Sequence, residues 1–180
     1  MRHMTIEGQP EIAAQRFMLR PLRASDAGLI TFYVSDKRLA EMTTTIPHPL
    51  PPGMAEALID RAADDTRPEH VWAMDATEHG QSEMLGLISL TEMDRDQSEI
   101  CYWVAPAFWN AGYASEAVQA LIVANPLGNR TFFASVFQDN PISARVLTNA
   151  GFVYLGDAEA FSVARGANVP TWTYLRRLEA

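Results

Sequence analysis

Lysine is almost missing from this 180-residue sequence. Lys37 is the only one, and 14 basic against 22 acidic side chains leave a formal net charge of −8 and a pI near 4.9. Neutralising a long nucleic acid takes clustered Lys and Arg, so a general nucleic-acid binder is excluded, and adsorption to anionic lipid is disfavoured on the same ground. Cysteine is as scarce. Cys101 stands alone, which rules out an internal disulfide and a cysteine-based zinc cluster and makes cytosolic residence the default expectation. The longest apolar run, Ile100 to Trp109, is interrupted by Pro106 and is about half the roughly 20 residues that a membrane span needs. Met1 to Thr5 lacks the apolar centre of a signal peptide. The stretch up to Gln15 reads as a polar lead-in outside the fold, leaving one domain over residues 16–180.

Several motifs are also missing. The sequence has no Gly-x-x-x-x-Gly-Lys-[Ser/Thr], no Gly-x-Gly-x-x-Gly, no Gly-x-Ser-x-Gly and no His-Glu-x-x-His. Phosphate loops, dinucleotide fingerprints, hydrolase elbows and helical zinc sites therefore lack support.

What is present is a globular composition, 48% apolar and 20% charged. Its periodicity alternates between strand and helix. Arg16 to Leu22 predicts a strand stopped by Pro21, and Ser25 predicts the N-cap of a helix running to Asp36. Four prolines between Pro47 and Pro52 predict an irregular loop, followed by a helix over about Gly53 to Asp65. Val71–Ala76, Met84–Met93 and Glu99–Val104 read as strands separated by turn clusters. Ala114, Ala117, Val118, Leu121 and Ile122 fall at helical spacing, and Thr131–Phe137 reads as a buried strand. Asn140-Pro141 and Gly151 bracket another helix, and Phe152–Gly156 and Thr171–Leu178 close the chain as strands around a variable loop. An α/β domain follows, with an antiparallel meander first and a right-handed parallel crossover after it.

The segment Tyr102 to Ala117 carries the chemistry. A strand runs into a short loop, Trp109-Asn110-Ala111-Gly112, which opens onto the amphipathic helix. Free N–H groups in a helix's first turn, at the positive end of its dipole, bind anions without a basic side chain.

Trp109-Asn110-Ala111-Gly112-Tyr113-Ala114, continued by Ser115-Glu116-Ala117, resembles the cofactor loop of the GNAT superfamily of N-acetyltransferases, in its RimJ/RimL-like branch. The usual [Gln/Arg]-x-x-Gly-x-[Gly/Ala] pattern is matched except at Trp109. Asn140-x-x-Ser143-x-Arg145-Val146-Leu147 with Gly151-Phe152, the opening Arg16-Phe17-x-Leu19-Arg20-Pro21-Leu22, and Pro47-His48-Pro49-Leu50 are similar to three further signatures of that branch. The resemblance implies a single mixed sheet whose splayed parallel strands, Glu99–Val104 and Thr131–Phe137, hold acetyl-CoA as co-substrate, with no metal. It implies cofactor contacts from Tyr102, Trp103, Val104, Trp109, the residues Asn110, Ala111, Gly112, Tyr113, Ala114 and Ser115, and from Asn140, Ser143 and Arg145.

A tyrosine that many members carry seven residues after the asparagine is replaced by Leu147, and the resemblance to the RimJ/RimL-like branch implies Ser143 as the proton donor to the departing thiol, with simple capping of the helix terminus as its alternative. Glu99 is the candidate general base, with a salt-bridged surface role as its alternative. Glu92, Asp94 or a water relay rank behind it. His48 and His70 read as ordinary polar residues, and Cys101 as an inert core thiol. The implied reaction is acetyl transfer to a primary amine, a protein or peptide N-terminus being one acceptor class and a small-molecule amine the other. A non-catalytic acyl-CoA-binding module is the alternative from a different class. Either a monomer or a homodimer is compatible with the sequence, with Phe161 and Trp172 as candidate dimer aromatics.

CoA is itself anionic, so an acidic chain must bind it through local dipoles against its global field, while a cationic amine is drawn in. The acceptor KM should therefore rise with ionic strength. A flat or falling dependence in steady-state assays would remove electrostatic steering.

Overall fold

In the computed structural model, which describes residues 9–179, the N-terminal strand patterns fold as an antiparallel meander. β1 (Ile12–Ala13), β2 (Met18–Pro21), β3 (Glu69–Asp75), β4 (Gly86–Met93) and β5 (Gln97–Val104) lie side by side in chain order. β6 (Thr131–Phe137) then lies parallel to β5, and β8 (Ala167–Arg177) and β7 (Val153–Ser162) complete an eight-stranded mixed sheet.

Strand alternation sends successive side chains to opposite faces, and each face has its own helices. Trp72, Leu90, Ile100 and Phe132 pack under α4 (Tyr113–Ala124) and α5 (Pro141–Asn149). Val71, Ala73 and Leu87 pack with α1 (Ala27–Val34), α2 (Lys37–Ala40) and α3 (Met54–Ala62). The stripe expected on α4 is the one buried, with Ala117, Val118, Leu121 and Ile122 against the sheet. α5 begins where Asn140 accepts a hydrogen bond from the Ser143 N–H, has Pro141 at its first position and ends before Gly151 at φ +85°. Among the described residues no helix is long and apolar enough to cross a membrane.

The structure departs from the sequence expectation in three places. The segment expected to lie outside the fold contributes β1, which pairs with β2, and the Pro10 carbonyl accepts the Trp72 indole N–H at 2.9 Å. The helix expected from Ser25 to Asp36 is broken. Ala24–Asp26 form a tight turn, α1 follows, and Asp36 rather than Ser25 acts as a side-chain cap, accepting from the Arg38 N–H at the start of α2. The last two strands run on as a long hairpin, because cross-strand pairing from Val153↔Leu175 to Ser162↔Ala167 orders the segment expected to be a loop.

A buried ion cluster explains the first helix break. Asp26 is fully buried and takes both terminal nitrogens of Arg20 at 2.8 and 2.9 Å, together with the Arg23 N–H at 2.9 Å. Arg20 Nε reaches Asp75 on β3 at 2.7 Å. Burial alone would raise the Asp75 carboxyl, but hydrogen bonds from the Thr77 N–H and from Arg20 outweigh it and leave the carboxyl below its ordinary 3.8.

Arg20→Ala strands two carboxylates and should lower unfolding free energy by about 3–5 kcal/mol in denaturant titrations. The stability that Asp75 contributes is present above its ordinary pKa and is lost as pH falls through its lower folded value. The denaturation midpoint should therefore drop on acidification below about pH 4, and Asp75→Asn should remove part of that slope.

Candidate active site

β5 and β6 begin as a regular parallel pair, with Gln97↔Thr131, Ser98↔Phe132 and Glu99↔Phe133 in register. Beyond Glu99 that pairing stops, although β5 stays paired with β4 as far as Val104 and β6 with β8 as far as Phe137. Each strand is held by its outer neighbour, and a gap opens between them. The Ala105 N–H donates to the Leu85 carbonyl on the β4 side, so alternation turns the peptide groups of Tyr102 and Val104 toward the gap. The Val104 carbonyl accepts the Trp109 indole N–H at 2.6 Å. That leaves the Val104 N–H and the Tyr102 peptide group as the polar backbone edge. Gly86 permits the close approach of β4 here, since a Cβ would collide with the Trp103 carbonyl oxygen.

At the mouth of the gap stands the N-terminus of α4. The preceding loop takes left-handed conformations at Asn110 (φ +62°) and Gly112 (φ +80°), which bend the chain so that Tyr113, Ala114 and Ser115 begin the helix with amides lacking intrahelical acceptors. Arg16 clamps this loop. Its Nε and backbone N–H donate to the two Glu116 carboxylate oxygens at 3.0 and 3.1 Å, and its Nη2 donates to the Ala111 carbonyl at 2.9 Å. The guanidinium also lies 4.3 Å from the Tyr113 ring centroid. Glu116 would otherwise set a bare carboxylate in the first turn of a helix whose free amides favour an anion, and Arg16 neutralises it. The partners are 100 residues apart, and no spacing in the sequence announces the pair.

On the far side of the gap, Ser143 occupies the first turn of α5. Its Oγ lies 2.8 Å from the Tyr102 phenol oxygen, a contact in which either hydroxyl can donate, and the Ser143 carbonyl is a further acceptor within reach of the phenol at 3.2 Å. Burial pushes the phenol up to about 12, even though the Ser143 hydrogen bond works against that rise. Leu147, one turn on, is fully buried in the core.

All residues expected at the site line one cavity of about 1080 Å³. Glu99, Tyr102, Trp103, Val104, Trp109, the Asn110–Ser115 run, Asn140, Ser143 and Arg145 are all in its wall. The cavity passes through the sheet, from Ile30, Leu39 and Leu58 on the α1–α3 side to the starts of α4 and α5 on the other. Glu99 faces the α1–α3 side of this space. It has no ion-pair partner among the described residues, which corrects the salt-bridge alternative, and it accepts a weak bond from the Cys101 thiol at 3.5 Å. Cys101 is likewise in the cavity wall and not in the core, and burial with the Glu99 charge raises its thiol to about 12, so it stays protonated. Glu92 is occupied by the buried His70 at 3.1 Å. Asp94 and His48 are outside the cavity lining, and Trp172 packs on the core, whereas Phe161 is exposed.

A parallel pair that splays after three residues and leads onto a free helix N-terminus is the arrangement that the loop resemblance implies. The sequence model of the acetyltransferase (GNAT) domain matches residues 16–153. The chain belongs to the GNAT acetyltransferase family. Solved structures similar to this GNAT domain include RimL, a ribosomal L7/L12 alpha-N-protein acetyltransferase in complex with CoA, at 19% identity and TM-score 0.77 over 94% of this chain and 98% of that one. Another is the microcin C7 self-immunity acetyltransferase MccE with acetyl-CoA and AMP, at 15% identity and TM-score 0.75 over 91% and 93%. A third is the Vibrio cholerae spermidine N-acetyltransferase with CoA and spermine, at 18% identity and TM-score 0.72 over 89% and 95%. No curated protein matches the chain.

Arg16→Ala frees both the Ala111 carbonyl and the Glu116 carboxylate beside the anion site. CoA affinity by calorimetry should fall about tenfold, roughly 1.4 kcal/mol, with a smaller loss for the double variant Arg16→Ala/Glu116→Gln. Unchanged affinity in the single variant would show that the clamp does not shape the site.

Proposed function

We propose that this GNAT domain transfers the acetyl group of acetyl-CoA directly to a primary amine, in the RimL manner to the N-terminal amine of a protein or peptide. The observation that carries the reading is the broken β5–β6 pairing, which leaves unpaired peptide groups beside a helix N-terminus within one cavity. The pyrophosphate fits the amides from Asn110 to Ser115, and the exposed Arg145 at the rim adds local positive charge. The pantetheine arm fits the gap, where it completes the unfilled ladder at Tyr102 and Val104. The Val104 N–H is placed to polarise the acetyl carbonyl as it becomes an oxyanion.

The acceptor enters from the α1–α3 side, where the Thr43–Ile46 segment, Leu50 and Met54 form the wall and Glu99 meets the amine. Glu99 and its hydration water take the proton that the nitrogen must lose, and Ser143 delivers one to the thiol. The protein N-terminus is favoured as acceptor by the likeness to the RimL and ribosomal-protein-S5-alanine enzymes.

Thiol release from acetyl-CoA should be followed with alanine- and serine-initiated peptides, spermidine and free amino acids. Peptides should exceed the small amines by about tenfold or more in kcat/KM, and Ser143→Ala should lower kcat by about a hundredfold with CoA affinity retained. Preference for spermidine or an amino acid would replace the acceptor class. Saturable CoA binding with no turnover on any acceptor would establish a binding module instead.

A further inference from the structure

A serine hydroxyl by itself is a weak source of a proton for a thiolate, because the alkoxide it leaves is the stronger base. The structure supplies a second hydroxyl behind it. The Tyr102 phenol lies 2.8 Å from Ser143 Oγ, with the Ser143 carbonyl at 3.2 Å as the alternative acceptor for its one proton. The serine is itself anchored, its amide donating to the Asn140 side chain at 3.3 Å. Ile100 and Val104, two residues either side of Tyr102 on the same face of β5, are buried in the core under α4 and α5 and keep that stretch of strand in place. Both hydroxyls line the cavity. With Leu147 buried in the core, a phenol reaches the first turn of α5 from the strand and not from the helix.

We propose that Tyr102 acts through Ser143 as a positioning and proton-supplying residue, the two hydroxyls forming a relay from the phenol to the departing sulfur. The proposal rests on the acetyl-transfer reading above. The amine nitrogen forms its bond to the acetyl carbon and loses a proton to solvent by way of Glu99. As the carbon–sulfur bond breaks, its electron pair goes to sulfur. The Ser143 O–H bond breaks as the S–H bond forms, and the Tyr102 proton passes to the serine oxygen. A phenolate remains, hydrogen-bonded to Ser143, and a proton from solvent restores it, so that the cycle is balanced. The phenol's one proton has two acceptors in reach; when it is given to Ser143 Oγ and not to the Ser143 carbonyl, the serine proton turns toward the gap, and that is the arrangement from which the relay runs. Even with burial raising it to about 12, the phenol is a stronger acid than the serine hydroxyl, so the pair is a better proton source than the serine alone.

The test compares wild type, Tyr102→Phe, Ser143→Ala and the double variant in rapid-quench first turnovers. These use acetyl-CoA and the fastest acceptor among the peptides, spermidine and amino acids named above. Tyr102→Phe should lower the rate about tenfold, with CoA affinity and melting temperature retained. The double variant should be within about twofold of Ser143→Ala, because a residue acting through another has nothing left to act on. The wild-type rate in mixed H2O and D2O should curve with deuterium fraction, as for two protons in flight, and should become linear in Tyr102→Phe. This measurement decides the matter without the double variant if that protein does not fold.

A full rate in Tyr102→Phe, losses that multiply in the double variant, or a loss carried wholly by CoA affinity would overturn the relay. So would a slow Tyr102→Phe beside a fast Ser143→Ala. Failure of the parent reading looks different: no acceptor turns over in the wild-type protein, and the relay falls with it.

Discussion

The interaction on which the site depends is one that stops forming. β5 and β6 share three parallel residue pairs and then separate, while each continues in register with its outer neighbour. Peptide groups left without partners inside a protein are costly, and a structure keeps them only where something else satisfies them. At Val104 an indole N–H does so for the carbonyl. The rest of the open edge faces the cavity, where an extended ligand bearing amides of its own can complete the ladder. The break in the sheet also joins two sides of the molecule that a continuous ladder would keep apart, so that a donor and an acceptor can meet within one domain.

The acidic composition and an anionic ligand are reconciled by locality. The proposed anion site consists of amides at the start of α4, and the one carboxylate in that first turn, Glu116, is tied to Arg16. A helix terminus acts within about a turn of its end, whereas the net charge acts over the screened surface, so the two need not share a sign. The buried Arg20 cluster does comparable work on the other face. It holds β2, β3 and the turn before α1 to one another, and so sets where the α1–α3 layer begins.

Much of this was legible in the chain. The period of two in the strands and of three to four in α4, the proline and glycine brackets of α5, and the Trp109–Ala114 loop are local signals, and local signals survive into the fold because backbone geometry produces them directly. β1 was not legible, because two residues of strand carry no periodicity and form only by pairing with β2. The long closing hairpin was hidden for a related reason: β7 is exposed along most of its length and lacks the apolar alternation that marks a half-buried strand. Ser25 looked like a helix cap until Asp26 was drawn inward by Arg20, a buried pairing that outweighs a capping preference.

The sequence by itself determined most of the order of elements and the loop that opens α4, since these are written in adjacent residues or in a short spacing, and the family resemblance pointed to Ser143. Only the tertiary structure decided what those groups touch. It brought Arg16 to Glu116, turned Cys101 and Glu99 into the cavity, and set the Tyr102 phenol against Ser143 from a strand 41 residues away in the chain. Contacts across such distances depend on strand register and helix packing together. A shift of one residue in β5 would turn Tyr102 to the opposite face, and no local pattern in the sequence records that choice.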